Sequence, residues 1–140
     1  MIQEHVEPVL ARLEAHQALV GIVVDGLLDQ DRDLPKPPPL VVVHSWTPRR
    51  EVTRLGGVRP DTAEFRFTVH CIGEDAAQAR RLADAVEAQL GDGWKPSVPG
   101  WNPGHLRHPT SLAPRPGLVT KPATQTTTDE YRMTSRRASF

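Results

Sequence analysis

Residues 64–75 read EFRFTVHCIGED. Apolar and polar residues alternate through most of the stretch. With Ala63 added, Phe65, Phe67, Val69 and Cys71 face one side, and Glu64, Arg66, Thr68 and His70 face the other. A period of two is that of a half-buried β-strand with one wet face. Gly73 ends the pattern. Asp75, with Gln78 three residues on, resembles a capping box, although Ser or Thr is the usual cap. The sequence that follows places Ala79, Leu82, Ala83, Val86 and Leu90 on one stripe, with Arg80, Arg81, Asp84 and Glu87 opposite. That predicts an amphipathic helix over 75–90, stopped at Gly91.

N-terminal to this unit, Ile2, Val6, Val9, Leu10 and Leu13 recur at spacings of three and four, one face of a helix. Pro8 moves the expected start of its regular part to about Glu7, giving a helix over 7–17. Residues 18–24 continue that helix or form a short strand, which Gly21 and Ile22–Val24 favour. Asp25–Gly26 marks a turn. The linker 29–39 contains three consecutive prolines, which hold a chain extended. Leu40–Ser45, LVVVHS, is a continuous apolar run of the kind covered on both faces. Residues 46–62 read as a long hairpin or arm around Gly56–Gly57.

C-terminal to it, residues 93–122 hold seven prolines and four glycines, so no helix or long strand is expected there. Order in such a segment calls for contacts, with partner chains the simplest source. The end, rich in Thr with Tyr131 and Met133 alternating, reads as a final strand pair or edge strand. The expected class is α+β: a mixed, mostly antiparallel sheet with two helices packed on one face, plus the arm and the proline-rich loop. A single domain over 1–140 is expected, with the arm at 46–62, the loop at 93–122 and a terminal strand segment at 118–140.

The totals narrow the function. One cysteine, Cys71, allows no internal disulfide. Apolar runs are too short to cross a bilayer as a helix, and the first residues carry acids where a secretory signal is basic. A soluble protein made in the cytoplasm is expected, with no membrane partner. Lys and Arg number 17, as do Asp and Glu. Residues 1–33 hold seven acids against two arginines, a balance of −5, so the remainder carries +5. Such a chain is a poor nucleic-acid binder by bulk charge, and nothing repels two copies.

No catalytic constellation emerges. His105 and His108 are three apart, but Pro103, Gly104 and Pro109 argue against a helix that would aim both at a metal. Two solvated loop histidines are the plainer reading. His70 and Cys71 are strand neighbours and point to opposite faces, so they form no nucleophile–base pair. Cys71 reads as a small core residue. No serine lies in a nucleophile elbow, and the Gly56–Gly57 pair is followed by Val58 and Arg59 rather than a phosphate-loop lysine. Trp94 and Trp101 sit among prolines; they anchor a loop to the core or form a stacking surface. The arm carries Arg49, Arg50, Arg54 and Arg59, which suit contact with DNA phosphates, pairing with acids on a neighbouring subunit, or plain solvation; arginine is enriched at interfaces.

The order of these segments resembles the tail terminator proteins of long-tailed bacteriophages, especially those of actinobacteria. The resemblance is carried by LVVVHS, an Arg-rich arm ending RLGGVRPD, FRFTVHCIGED running into QARRLADAVEAQL, the loop GWKPSVPGW and a terminal DEYRMTSRR. It implies a non-enzymatic virion protein without cofactor or metal. It further implies a homo-oligomeric ring, usually a hexamer, that caps the tail tube, ends its polymerisation and joins it to the head connector or neck proteins, with DNA passing through the lumen unread. Its place would be the head-proximal end of the tail, after assembly in the host cytoplasm. The expected interface residues are Arg49, Arg50, Arg54, Leu55, Arg59, Trp94, Trp101, Tyr131 and Arg132. The alternatives are another head-completion or neck protein, a small metal-dependent hydrolase using His70, His105 and His108, and a nucleic-acid module built on the basic residues 94–140.

Overall fold

The computed structural model describes residues 2–26, 37–46, 62–91, 93–116 and 124–138. The fold begins with helix α1, Ile2–Glu14. It starts earlier than expected and carries Pro8 inside it. A proline in a helix interior costs about 3 kcal/mol. Burial offsets this: Val6, Val9 and Leu13 are at most 1% exposed, and each such side chain contributes about 1.5–3 kcal/mol. The helix also ends earlier than expected. Turns then run to Ile22, with the Gly21 N–H donating to Glu14 Oε2 at 3.0 Å. Gly21 has φ +77°, a conformation other residues rarely adopt.

Strand β1, Val23–Asp25, pairs in parallel with β2, Leu40–Trp46. Within the proline run the Pro38–Pro39 peptide bond is cis, where an extended run was expected. As the valine run indicated, β2 is buried on both faces. Val41 and Val43 enter the main core, while Leu40 and Val42 join Ile72 in a small second cluster. An antiparallel neighbour, β3, follows at Thr62–Gly73. Its apolar positions are buried and its polar ones half-buried from Thr62 to His70, as the alternation requires. The 46–62 arm would join β2 to β3, but residues 47–61 lie outside the described residues.

Helix α2, Ala76–Leu90, has Asp75 as its cap, accepting from Gln78 N at 2.7 Å. Gln78 Oε1 in turn accepts from Glu74 N at 2.7 Å, one residue earlier than a standard capping box. Gly73 permits this tight entry: a Cβ there would lie 2.6 Å from Ala79 N. Gly91 stops the helix as expected, though by a different route. Its backbone is extended (φ −86°), and a side chain would meet Glu87 O at 2.8 Å.

The C-terminal third differs most from expectation. Strands β4, Trp101–Pro103, and β5, Arg107–Pro116, form despite the prolines. Both pair antiparallel with β6, Gln125–Arg137. The β5 register slips between Arg107 and Thr110 and again between Leu112 and Arg115, and Pro109 and Pro114 fall inside the two slips. Proline lacks the N–H a regular ladder uses, so bulges on an edge strand are where it is tolerated. Nor is β6 an edge strand. It lies between β3 on one side and β4 with β5 on the other, giving a six-stranded mixed, mostly antiparallel sheet in the order β1-β2-β3-β6-β4 with β5 also on β6.

Both helices cover one face of this sheet. Val6, Val9 and Leu13 of α1 and Leu82, Val86 and Leu90 of α2 share one core with Phe65, Phe67, Val69, Tyr131 and Met133. The class is α+β, as expected. The two helices are tied near their C-termini by reciprocal bonds. Arg12 Nε donates to Gln89 O at 3.0 Å, and Gln89 Nε2 donates to Arg12 O at 2.6 Å. Each bond satisfies a carbonyl that a helix end leaves without an intrahelical partner.

Candidate assembly surface

The long pairing of β3 with β6 turns two alternating sequences into two chemically different faces. Toward the helices point Phe65, Phe67, Val69 and Cys71 of β3, with Thr127, Asp129, Tyr131, Met133 and Ser135 of β6. The opposite, open face carries Glu64, Arg66, Thr68 and His70, with Thr128, Glu130, Arg132, Thr134 and Arg136.

On the open face, Arg66 stands directly across from Arg132, and Arg132 directly across from Arg107. Three arginines thus form one row over three adjacent strands. Like charges opposite one another are destabilising, so the row needs acids. Glu130 Oε1 lies 3.2 Å from Arg132 Nε and 3.8 Å from Arg66 Nε, and Glu64 Oε1 lies 3.4 Å from Arg66 Nε. Beside this lattice, His70 Nδ1 hydrogen-bonds Thr128 Oγ1 at 3.0 Å. Burial lowers the pKa of His70 below its usual value, and nearby His44 lowers it further.

On the covered face, two polar pairs are formed, while the Tyr131 hydroxyl is buried without a hydrogen-bond partner among the described residues. His5 is fully buried, hydrogen-bonds Ser135 Oγ through Nε2 at 2.8 Å and stacks on Phe65 with centroids 4.0 Å apart. Asp129, 2% exposed, accepts from His108 Nε2 at 3.0 Å. The His108 ring lies flat against Tyr131, and its Nδ1 is 3.9 Å from Glu87 Oε1 on α2. This joins edge strand, inner strand and helix at one point. Burial pushes the Cys71 thiol up to about 12, and Asp129 adds to the shift while Thr127 opposes it. Burial, together with Asp129 and Glu87, also raises the Tyr131 phenol.

The expected interface residues fall in different places. Arg49, Arg50, Arg54, Leu55 and Arg59 lie outside the described residues. Trp94 and Trp101 are anchors, half-buried against the core, with Arg12 5.5 Å above Trp94 and Arg137 5.4 Å above Trp101. Tyr131 is 1% exposed within the subunit, a correction to its reading as a surface residue. Its alternation with Met133 puts it under the helices. Of the four within the described residues, Arg132 alone sits on the open face. Arg66, Arg107, Glu64 and Glu130 were not expected there; the alternation around Glu64 and Arg66 was visible, but neither β5, which carries Arg107, nor the register that aligns the four was.

His70, His105 and His108 are not brought together. His70 is on the open face and His108 on the covered side, while His105 Nδ1 donates to Gly93 O at 2.6 Å. Among the described residues, no group of three or more His, Cys, Asp or Glu is placed to hold a metal ion. Among the described residues, no helix is long and apolar enough to cross a membrane.

These features define an α+β unit with one sheet face closed by helices and, over β3 and β6, a partly exposed lattice of charge on the other. The family model described as tail completion protein gp17 matches residues 7–112, and the chain belongs to that family, a structural component of phage tails. This bears out the resemblance read from the sequence. A solved structure shares the fold with a TM-score of 0.66 at 13% identity, over 99% of this chain and 96% of that one. The search of curated proteins finds no match.

Proposed function

We propose that this tail completion protein acts as a terminator: it forms a ring, a hexamer, that caps the tail tube, stops its growth and joins it to the head connector. The observation that carries this reading is the family match over 7–112, which runs from α1 into β5. A ring built from one repeated contact is heterologous and closes by rotation. The open charged face suits the recognition of other proteins better than catalysis, because its groups neutralise one another across strands. DNA would pass through the lumen without being read. In the virion the protein would sit at the head-proximal end of the tail, after assembly in the host cytoplasm.

The arm arginines Arg49, Arg50, Arg54 and Arg59, with Leu55, are proposed as further contacts between copies. Replacing Arg49, Arg50 and Arg54 together with Glu is expected to leave the fold intact and abolish rings in negative-stain images. The capping role is tested by mixing the purified protein with growing tail tubes. Density at one tube end and arrested elongation are expected. Tubes that lengthen at the same rate, with both ends bare, would remove the capping reading.

A further inference from the structure

His108 meets groups of β6 and α2 at one point, and its two ring nitrogens meet different demands there. Asp129, 2% exposed, accepts from His108 Nε2 at 3.0 Å, so that nitrogen carries the proton. In a neutral ring with that proton in place, Nδ1 is an acceptor. It faces Glu87 Oε1 on α2 at 3.9 Å. Two acceptors thus confront each other across a gap too long for a hydrogen bond. A donor placed beside both would join them.

Tyr131 has the opposite need. Its ring lies against His108 with centroids 4.5 Å apart and planes 14° from parallel. Its hydroxyl is buried and has no hydrogen-bond partner among the described residues. Burial raises the phenol, and Asp129 and Glu87 raise it further, which puts the hydroxyl within electrostatic reach of both acids and keeps its proton in place. A buried donor without an acceptor therefore stands near two acceptors without a donor.

We propose that one ordered water molecule binds at this junction, accepting from the Tyr131 hydroxyl and donating to His108 Nδ1 and Glu87 Oε1. Water matches the set: it accepts once and donates twice, and about three hydrogen bonds is the usual count for a buried water. Two legs of about 2.8 Å close over the 3.9 Å gap when the water sits to one side of it. The Glu87 side chain is 61% exposed and gives a route from solvent, while Tyr131, 1% exposed, closes the inner side. A metal ion would suit Nδ1 and the carboxylate but not a protonated phenol, and among the described residues no group of three His, Cys, Asp or Glu is placed to hold one. The water continues the Asp129–His108 bond to α2, so β5, β6 and the helix are tied by one polar chain. This inference concerns the single subunit and stands apart from the ring reading.

The test is a crystal structure of the full-length wild-type protein that shows ordered water, together with nitrogen NMR of the histidine side chains at about pH 8, above the ordinary histidine range. One water peak within about 2.6–3.2 Å of Tyr131 Oη, His108 Nδ1 and the Glu87 carboxylate is expected, with the His108 proton on Nε2. In solution, Tyr131→Phe removes one partner of the water and is expected to lower the folding equilibrium constant about fivefold. A Tyr131→Phe variant as stable as wild type, or more stable, would show that the hydroxyl had no partner to lose and would overturn the proposal. So would Tyr131 Oη bonded directly to a protein atom, no water peak at Nδ1, or a proton on Nδ1 at that pH.

Discussion

The two faces of the β3–β6 pair are built from the same alternation yet hold their polar groups in opposite ways. Under the helices, His5 and Ser135 are fully buried and bonded to each other, and Asp129 is buried against a partly exposed His108 that also faces Glu87. On the open face, Arg66, Glu130, Arg132 and Glu64 form a connected lattice in which every member keeps some exposure. A buried polar group left alone costs its full desolvation, a cost the His5–Ser135 and His108–Asp129 bonds avoid and the buried Tyr131 hydroxyl, among protein groups alone, bears. An exposed one can exchange partners. The covered face therefore sets stability, and the partly exposed ion pairs of the other face add little to it.

The largest break in this contrast is expected at the centre of the covered face. Phe67→Ala should cost about 3–5 kcal/mol, seen as a large fall in denaturation midpoint. His108→Ala should cost about 1–3 kcal/mol, because Asp129 stays buried without that donor. On the open face, Arg132→Ala should change stability by about 1 kcal/mol or less while weakening assembly. A loss from Arg132→Ala equal to that from His108→Ala would erase the distinction.

The finest test is pH. The folded pKa of His70 is lowered, so the unfolded chain binds its proton more readily. That contribution is fully present above the unfolded value of 6.5 and is lost as pH falls from there through the lowered folded value. Unfolding curves of wild type and His70→Gln between pH 7.5 and 5 should diverge in that direction, with the variant less sensitive. Cys71 gives a control on the covered face. Its buried, protonated thiol should resist alkylation at pH 8 until the protein is unfolded.

How much of this was legible in the sequence follows the same division. The β3 pattern and the α2 stripe were readable because each repeats with its own period over about ten residues. The β5 strand was hidden by Pro109 and Pro114, which punctuate a chain unless a bulge receives them. Missing β5 also made β6 look like an edge. The start of α1 was misjudged because proline propensity was weighed before the burial of Val6. Candidate surface residues were legible only as to face. The alternation put Glu64 with Arg66 on a wet side. Their alignment, and the His108–Asp129 pair 21 residues apart, depend on a register that no local pattern encodes.

The central claim is that this chain works by binding copies of itself. Native mass spectrometry of the purified wild-type protein at low ionic strength tests it most directly. A closed species at six times the subunit mass, dissociating as salt is raised, is the predicted result. A single monomeric species at every concentration and ionic strength would contradict it.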